Sequence, residues 1–246
     1  MCITNARFFG GNYLNITKAL KNLTKFEITL WISSVVIVTI SFFLSQKFNP
    51  LTLVASLTGS TALIFVAKGN VIGQILTIIF SIFYAIISFQ FCYYGEMITY
   101  LGMTAPIALM SVVSWLRHPY KDTAEVTVNR LSRIQKITLI VLTIVVTSIF
   151  YIILKAFDTP NLFLSTVSIA TSFSASYLML FRSPAYALAY AGNDVVLIIL
   201  WILASLSNPS FIPVIICFCI FFINDIYGFF NWQKMKKNQK VNLHHQ

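Results

Sequence analysis

Of the 246 residues, 58% are hydrophobic and only 10% are charged, and the mean hydropathy is +0.82. A water-soluble domain carries about 25% charged residues, so this composition excludes a soluble globular protein and defines an integral membrane protein. The net charge of +10 would suggest nucleic acid in a soluble chain. Here basic loops gathered on one face of a membrane account for it, and no nucleic-acid partner is expected; the surrounding partners are membrane lipids.

Residues 1–26 are polar and basic and lack the short apolar segment followed by small residues that marks a cleavable signal. Within them NYLNITKALKNLTKF (12–26) sets apolar against basic positions at helical spacing. It reads as a cytoplasmic amphipathic segment lying along the membrane surface. A transmembrane domain over 27–236 follows, in a first half (27–116), a polar loop (117–136) and a second half (137–236), before a basic cytoplasmic tail at 237–246.

A hydrocarbon core about 30 Å thick needs about 20 apolar residues per helix. Eight stretches qualify, at 28–46, 50–67, 70–92, 97–116, 137–155, 161–181, 185–206 and 210–231. The long connection RHPYKDTAEVTVNRLSRIQK is too polar to cross. With both termini cytoplasmic, fifteen of the seventeen Lys and Arg residues lie inside and only Lys47 and Lys155 lie outside. A seven-span arrangement would put four basic residues on the wrong face. The fold class is therefore all-α, with eight transmembrane helices in a multi-pass inner (plasma) membrane protein.

The two halves resemble each other. EITLWISSVVIVTISFFLSQKFNP (27–50) runs parallel to KITLIVLTIVVTSIFYIILKAFDTP (136–160), and SWLRH (114–118) corresponds to NWQKM (231–235). Four spans return the chain to its starting side, so the halves share one orientation and form a parallel internal repeat. Folds of that kind place substrate sites near mid-membrane, between the repeats.

Seven acidic residues occur, and five of them fall at span ends or in loops. Asp194 and Asp225 do not. Asp194 lies about nine residues into span seven, roughly 14 Å at 1.5 Å per residue, near the bilayer midplane. Asp225, in span eight, is expected nearer the cytoplasm and at a different depth. A carboxylate at the midplane costs about 2.5–3.5 kcal/mol on insertion scales, and no Lys or Arg lies within a span to neutralise either acid. A proton, water or a cationic ligand must meet them. Tyr186, Tyr190 and Asp194 share one helical stripe, with Trp201 near it and Asn193 adjacent to the acid; Asn224 precedes Asp225 and Tyr227 follows it. Asn70 and Gln74 are at i, i+4 on span three. Tyr93, Tyr94, Tyr100, Trp115 and Trp232 read as an interfacial aromatic belt. Aromatic faces attract a delocalised cation, Asp supplies counter-charge, and Asn and Gln match the donors and acceptors of a carboxamide or of ribose hydroxyls. This inventory suits a flat, cationic aromatic amide. A phosphorylated ligand fits poorly without an intramembrane basic residue.

The inventory for enzyme chemistry is poor: two acids could form a catalytic dyad, but Asp194 and Asp225 are expected at different depths. His118, His244 and His245 lie in a loop and the tail, and HExxH, GxSxG and a glycine-rich phosphate loop are all missing from the sequence. The four cysteines show no metal-ligand spacing and read as small hydrophobes. No catalytic residue, metal or cofactor is expected.

The segments AYALAYAGNDVVLIILW (185–201) and FFINDIYGFFNWQKM (221–235) resemble the PnuC family of vitamin transporters over roughly residues 28–236. The resemblance implies a fold similar to SWEET sugar facilitators, with two three-helix bundles joined by a linker helix (3+1+3) and one extra N-terminal helix. It also implies a homotrimer and uptake of nicotinamide riboside by facilitated diffusion, with intracellular phosphorylation trapping the vitamin. Relatives that carry thiamine or riboflavin, and proton-coupled uptake through Asp194, are the alternatives. The family's Trp-x-x-Trp-x-x-x-Asn/Asp pattern falls on Ala187, Tyr190 and Asp194: the acid matches, one aromatic is substituted and one is lost. Tyr186 is the neighbouring aromatic at that gap. The site expected from residues and resemblance together comprises Asp194, Tyr190, Asn193, Tyr186, Asn70, Gln74, Trp201, Asn224, Asp225 and Tyr227.

Overall fold

The computed structural model describes residues 16–45, 49–90, 93–121 and 123–244. In chain order the helices are α1 (Ile16–Lys21), α2 (Lys25–Phe43), α3 (Pro50–Ala67), α4 (Val71–Gln90), α5 (Tyr94–Thr99), α6 (Ala105–Leu116), α7 (Arg133–Ala156), α8 (Leu162–Leu180), α9 (Ala185–Ser207) and α10 (Ile212–His244). A π-helical turn, Tyr100–Thr104, joins α5 to α6, so the two make one span. Among the described residues eight spans are long and apolar enough to cross a membrane. The all-α, eight-span reading holds.

Each start has a local chemical cause. Thr24 and Glu27 form a capping box at α2, and Ser132 with Gln135 forms another at α7. Asn49 Oδ1 accepts from the N–H groups of Leu51 and Thr52 at 3.0 and 3.2 Å, with Pro50 in the first turn of α3. Inside the bilayer backbone groups have no water to turn to, so such caps settle where a span can begin.

Two expectations are corrected. The tail expected from residue 237 is helix as far as His244, because α10 runs on for 33 residues; at 1.5 Å per residue that is about 50 Å, longer than the hydrocarbon core. The short helix α1 does not simply lie on the lipid surface: Ala19 and Leu23 are buried against Ile64, Phe65 and Ile72. The rest of the expected amphipathic segment, up to residue 15, falls outside the described residues, as does Lys47.

Packing follows the repeat. Helix α3 lies against α4 and α10, α8 against α7 and α9, and α9 against α10. Small residues let backbones approach, as membrane helix pairs require. Ser165, Ser168, Ser172 and Ser176 make a buried stripe on α8. Helix α7 is the outlier. Only Leu154 of it is buried, and Ile134, Ile137, Ile140 and Ile144 are exposed, as on a lipid-facing helix.

One face carries the α3–α4 turn, the α8–α9 turn, the protruding end of α10 and the loop between the halves; it is called the basic face below. Gly69 (φ 64°) and Arg182 (φ 55°) close the two equivalent turns in the left-handed region. The connecting loop docks on both. Val126 N–H donates to Gly69 O at 2.9 Å, and Asn129 N–H donates to Arg182 O at 3.0 Å. Gln239 on the extension of α10 grips the same stretch, accepting from Val128 N–H at 2.8 Å and donating to Val126 O at 3.1 Å. What reads in the sequence as a polar connection is thus a strap across the two halves.

A close backbone contact between α3 and α4 gives a stability test. A Cβ at Gly73 would lie 2.5 Å from Val66 N and 3.0 Å from Ala62 O, both backbone atoms of α3, whereas a Cβ at Gly192 would meet nothing within 4 Å. Gly73→Ala is expected to destabilise the purified protein by about 1–3 kcal/mol, and Gly192→Ala to leave it unchanged or raise it by up to about 1 kcal/mol. Thermal unfolding in detergent checks both.

Candidate functional site

Helix α9 presents Tyr190, Asn193 and Asp194 to a cavity between the halves, and α8 holds two of them in place. Asn193 Oδ1 accepts from Thr171 Oγ1 at 2.8 Å and from Ser168 Oγ at 3.3 Å, while the Tyr190 hydroxyl pairs with Ser176 Oγ at 2.8 Å. The Ser-rich stripe on α8 therefore both packs and orients. From α10 comes Asp225. The remaining wall includes Gly59 on α3, Thr77 and Phe80 on α4, and Tyr100 and Thr104 from the π turn.

The two acids meet. Asp194 and Asp225 are each 4% exposed, and both line the cavity, so the two carboxyl groups share one buried space. The expectation that they sit at different depths is wrong. It assumed that span eight ends near residue 231; because α10 continues far past that point, Asp225 lies deeper. Two full charges about 4 Å apart would repel by about 4 kcal/mol at an effective dielectric of 20. Among the described residues no Lys or Arg lines the cavity. Asp194 Oδ2 is buried without a hydrogen-bond partner.

Aromatic layers bound the cavity on both sides. Toward the basic face Tyr190 is followed by Tyr186 (ring centroids 6.3 Å), Trp232 (4.9 Å) and Trp115 (5.5 Å). The tryptophans cross over between halves: Trp115 Nε1 donates to Met179 O on α8 at 3.2 Å, and Trp232 Nε1 to Val66 O on α3 at 2.9 Å. Residues 66 and 179 are separated by the same interval as the turn residues 69 and 182, so these bonds are a repeat-related pair. Toward the opposite face Tyr100 packs on Tyr84 at 4.4 Å, and Tyr93, Trp201 and Phe211 cluster beyond. Tyr100, Trp115 and Trp232 are therefore interior layers, not an interfacial belt. The cavity measures about 70 Å³ on the scale by which one water needs about 10–15 Å³. Ligand pockets begin at about 300 Å³, so a nucleoside-sized guest requires the walls to part.

Other expected residues lie elsewhere. Asn70 caps α4, its Oδ1 accepting from Ile72 N–H at 2.9 Å. Gln74 is fully buried in a cleft next to the cavity, donating to Met179 Sδ. Tyr186 is one layer below Tyr190, and Trp201 belongs to the cluster near the opposite face. Asn224 turns away toward α2, donating to Ser34 Oγ at 3.1 Å and Ile220 O at 2.8 Å. Tyr227 donates to Glu27, which also pairs with Lys68 at 3.3 Å near the basic face. Sequence reasoning missed Tyr100, Thr104, Thr77, Phe80 and Ser172; Pro106, interrupting an apolar run, was the available signal for the first two.

An acid-lined cavity lies between the two halves of this helical membrane protein, and the family it matches makes it a transporter and not an enzyme. Residues 49–234 match the nicotinamide mononucleotide transporter family, and the chain belongs to that family. It is 27% identical over 198 residues to the nicotinamide riboside transporter PnuC of Neisseria mucosa, covering 77% of this chain and 75% of the relative. It is 23% identical to the nicotinamide riboside transporter PnuC of Haemophilus influenzae over 86% of this chain and 91% of that one. The fold superposes on a crystal structure of the vitamin B3 transporter PnuC with a TM-score of 0.78 and 26% identity, over 91% of this chain and 97% of the other.

If the acid pair is held for ligand binding at a cost to the fold, then Asp225→Asn removes like-charge tension and supplies an amide donor to Asp194. It is expected to raise the thermal midpoint of the ligand-free protein by about 2–4 °C, the shift that about 1 kcal/mol produces in a chain of this size. A fall of that size would show the pair to be stabilising.

Proposed function

We propose that this transporter carries nicotinamide riboside, the uncapped nucleoside, by facilitated diffusion across a bacterial-type inner membrane. The observation that carries the reading is the cavity lining: Asp194, Asp225, Tyr190 and Tyr100 without a Lys or Arg among the described residues. A pyridinium cation finds counter-charge and ring faces there, and Coulomb attraction at that depth is little screened. A phosphate would face two acids. The nucleoside is thus favoured over the mononucleotide for which the family is named, and the names of both curated relatives support the same choice.

The charge pattern supports a cytoplasmic basic face, with both termini inside. Lys68 and Arg182 lie at the two equivalent turns on that face. Phosphorylation after release would trap the vitamin, because the product carries the charge that the cavity rejects. The changes to Ala187 and Tyr190 in the family's aromatic pattern leave Tyr186 and Tyr190 as the rings nearest the acid on α9. Of the two, only Tyr190 lines the cavity, where its hydroxyl replaces an indole of the family pattern.

The test is uptake of labelled nicotinamide riboside by pure protein in liposomes. The label should equilibrate without any ion gradient, continue in the presence of a protonophore and be unaffected by excess mononucleotide. Concentrative uptake that collapses with the protonophore would replace uniport by proton coupling. Equal competition by the mononucleotide would overturn the nucleoside assignment. Asp194→Ala is expected to weaken binding roughly thirtyfold or more, following the about 2–5 kcal/mol lost when a buried charged partner is truncated, while the protein still inserts; calorimetry on the purified variant checks it.

A further inference from the structure

The wall opposite α9 contains a local departure from α-helix. Over Tyr100–Thr104 the backbone is π-helical, and Ala105 N–H bonds to Tyr100 O, five residues back. Pro106 supplies the cause: it has no N–H, and in an α-helix its ring would collide with the carbonyl of Gly102. The widened turn relieves that contact. Such turns recur at functional sites.

Its consequence is the placement of Thr104. Elsewhere in these spans many buried or half-buried hydroxyls donate to the carbonyl four residues back, as Ser60, Thr77, Ser81, Thr99 and Ser111 do at 2.8–2.9 Å, although those of Thr52 and Thr147 are unbonded. Thr104 does not. Its Oγ1 is buried and makes no hydrogen bond, and its side chain borders both the main cavity and the adjoining cleft that holds Gln74. Gln74 donates its Nε2 to Met179 Sδ, and its Oε1 is likewise buried and unbonded. An unmet buried polar atom costs about 1–3 kcal/mol, and here two of them border one cleft. Met179, an unbranched and adaptable side chain, lies between cleft and cavity and borders both.

We propose that Thr104 and Gln74 form a carboxamide-reading site, with the π turn as the device that frees the Thr104 hydroxyl for it. The Thr104 hydroxyl donates to the amide oxygen of the ligand, and Gln74 Oε1 accepts from its NH2. Met179 swings aside to join the two spaces, while the pyridinium stays on the Asp194 side. The assignment rests on the nucleoside reading above, and it predicts a discrimination that the acid pair alone does not make. Nicotinic acid riboside, with a carboxylate in place of the amide, would turn an acceptor toward Gln74 Oε1 and lose that bond.

The experiment is calorimetric titration of full-length protein in detergent with nicotinamide riboside and with nicotinic acid riboside, for wild type, Thr104→Val and Thr104→Ser. Wild type should prefer the amide. Thr104→Val, which keeps the shape and removes the hydroxyl, should weaken amide binding roughly tenfold and narrow the preference, and Thr104→Ser should restore both. Unchanged affinity in Thr104→Val, or equal wild-type affinity for amide and acid, would overturn the proposal while leaving the nucleoside reading intact. Equal losses in the Val and Ser variants would also overturn it, assigning Thr104 to packing. A wild type that binds neither compound would refute the nucleoside reading itself, and this proposal with it.

Discussion

Two buried carboxyl groups lining one cavity among membrane-spanning helices, with no basic side chain among the described residues lining it, are the constraint around which this molecule is arranged. Uncompensated charge at that depth is costly, and the enclosed cavity beside the acids leaves them without a basic partner among the described residues that line it. Each acid comes from a different helix of the second half, α9 and α10, and the first half closes over them with Gly59, Phe80, Tyr100 and Thr104. The charged lining of the cavity is thus contributed by the second half alone, although the two halves match in architecture.

That match is expressed most clearly away from the cavity. Trp115 and Trp232 each cross to a carbonyl of the other half, and the Gly69 and Arg182 turns are tied to one strap by the backbone of Val126 and Asn129. The basic face is thereby a set of reciprocal contacts between halves, and any motion that parts the cavity walls must act against it. Arg182 shows what the strap asks of the sequence. It holds a left-handed conformation that costs a non-glycine residue about 1–2 kcal/mol, offset by bonds from its guanidinium to Thr127 O and Ser114 Oγ.

Architecture was legible because the bilayer imposes it: a span needs a length of apolar chain, and the eight apolar stretches correspond to the eight helices. The ends were less legible. Span eight reads as complete at residue 231, yet α10 continues to His244 since the extension finds partners in the strap through Gln239. That one misjudged end displaced Asp225 from Asp194 in the sequence reading. On the site, Tyr190, Asn193 and Asp194 share a run on one helix, which helical periodicity captures. Asn70, Asn224 and Tyr227 have the same chemistry but are turned to a helix cap, to α2 and to Glu27, and residue type alone cannot distinguish a ligand contact from a structural one. Tyr100 and Thr104 were hidden for a different reason. Their direction depends on a π turn that shifts the register, and a 3.6-residue periodicity points them elsewhere.

The central claim is that positive charge on the ligand, not its shape alone, is what the buried acids meet. The most direct measurement compares the affinity of wild-type protein for nicotinamide riboside with that for its reduced dihydro form, which has nearly the same outline and no charge. The account predicts at least a tenfold preference for the cation, reduced by more than half on a logarithmic scale in Asp194→Asn; one factor of ten corresponds to about 1.4 kcal/mol, well within what a single poorly screened ion pair supplies. Equal affinity for the two forms, or a cation preference unaffected by the substitution, would contradict it.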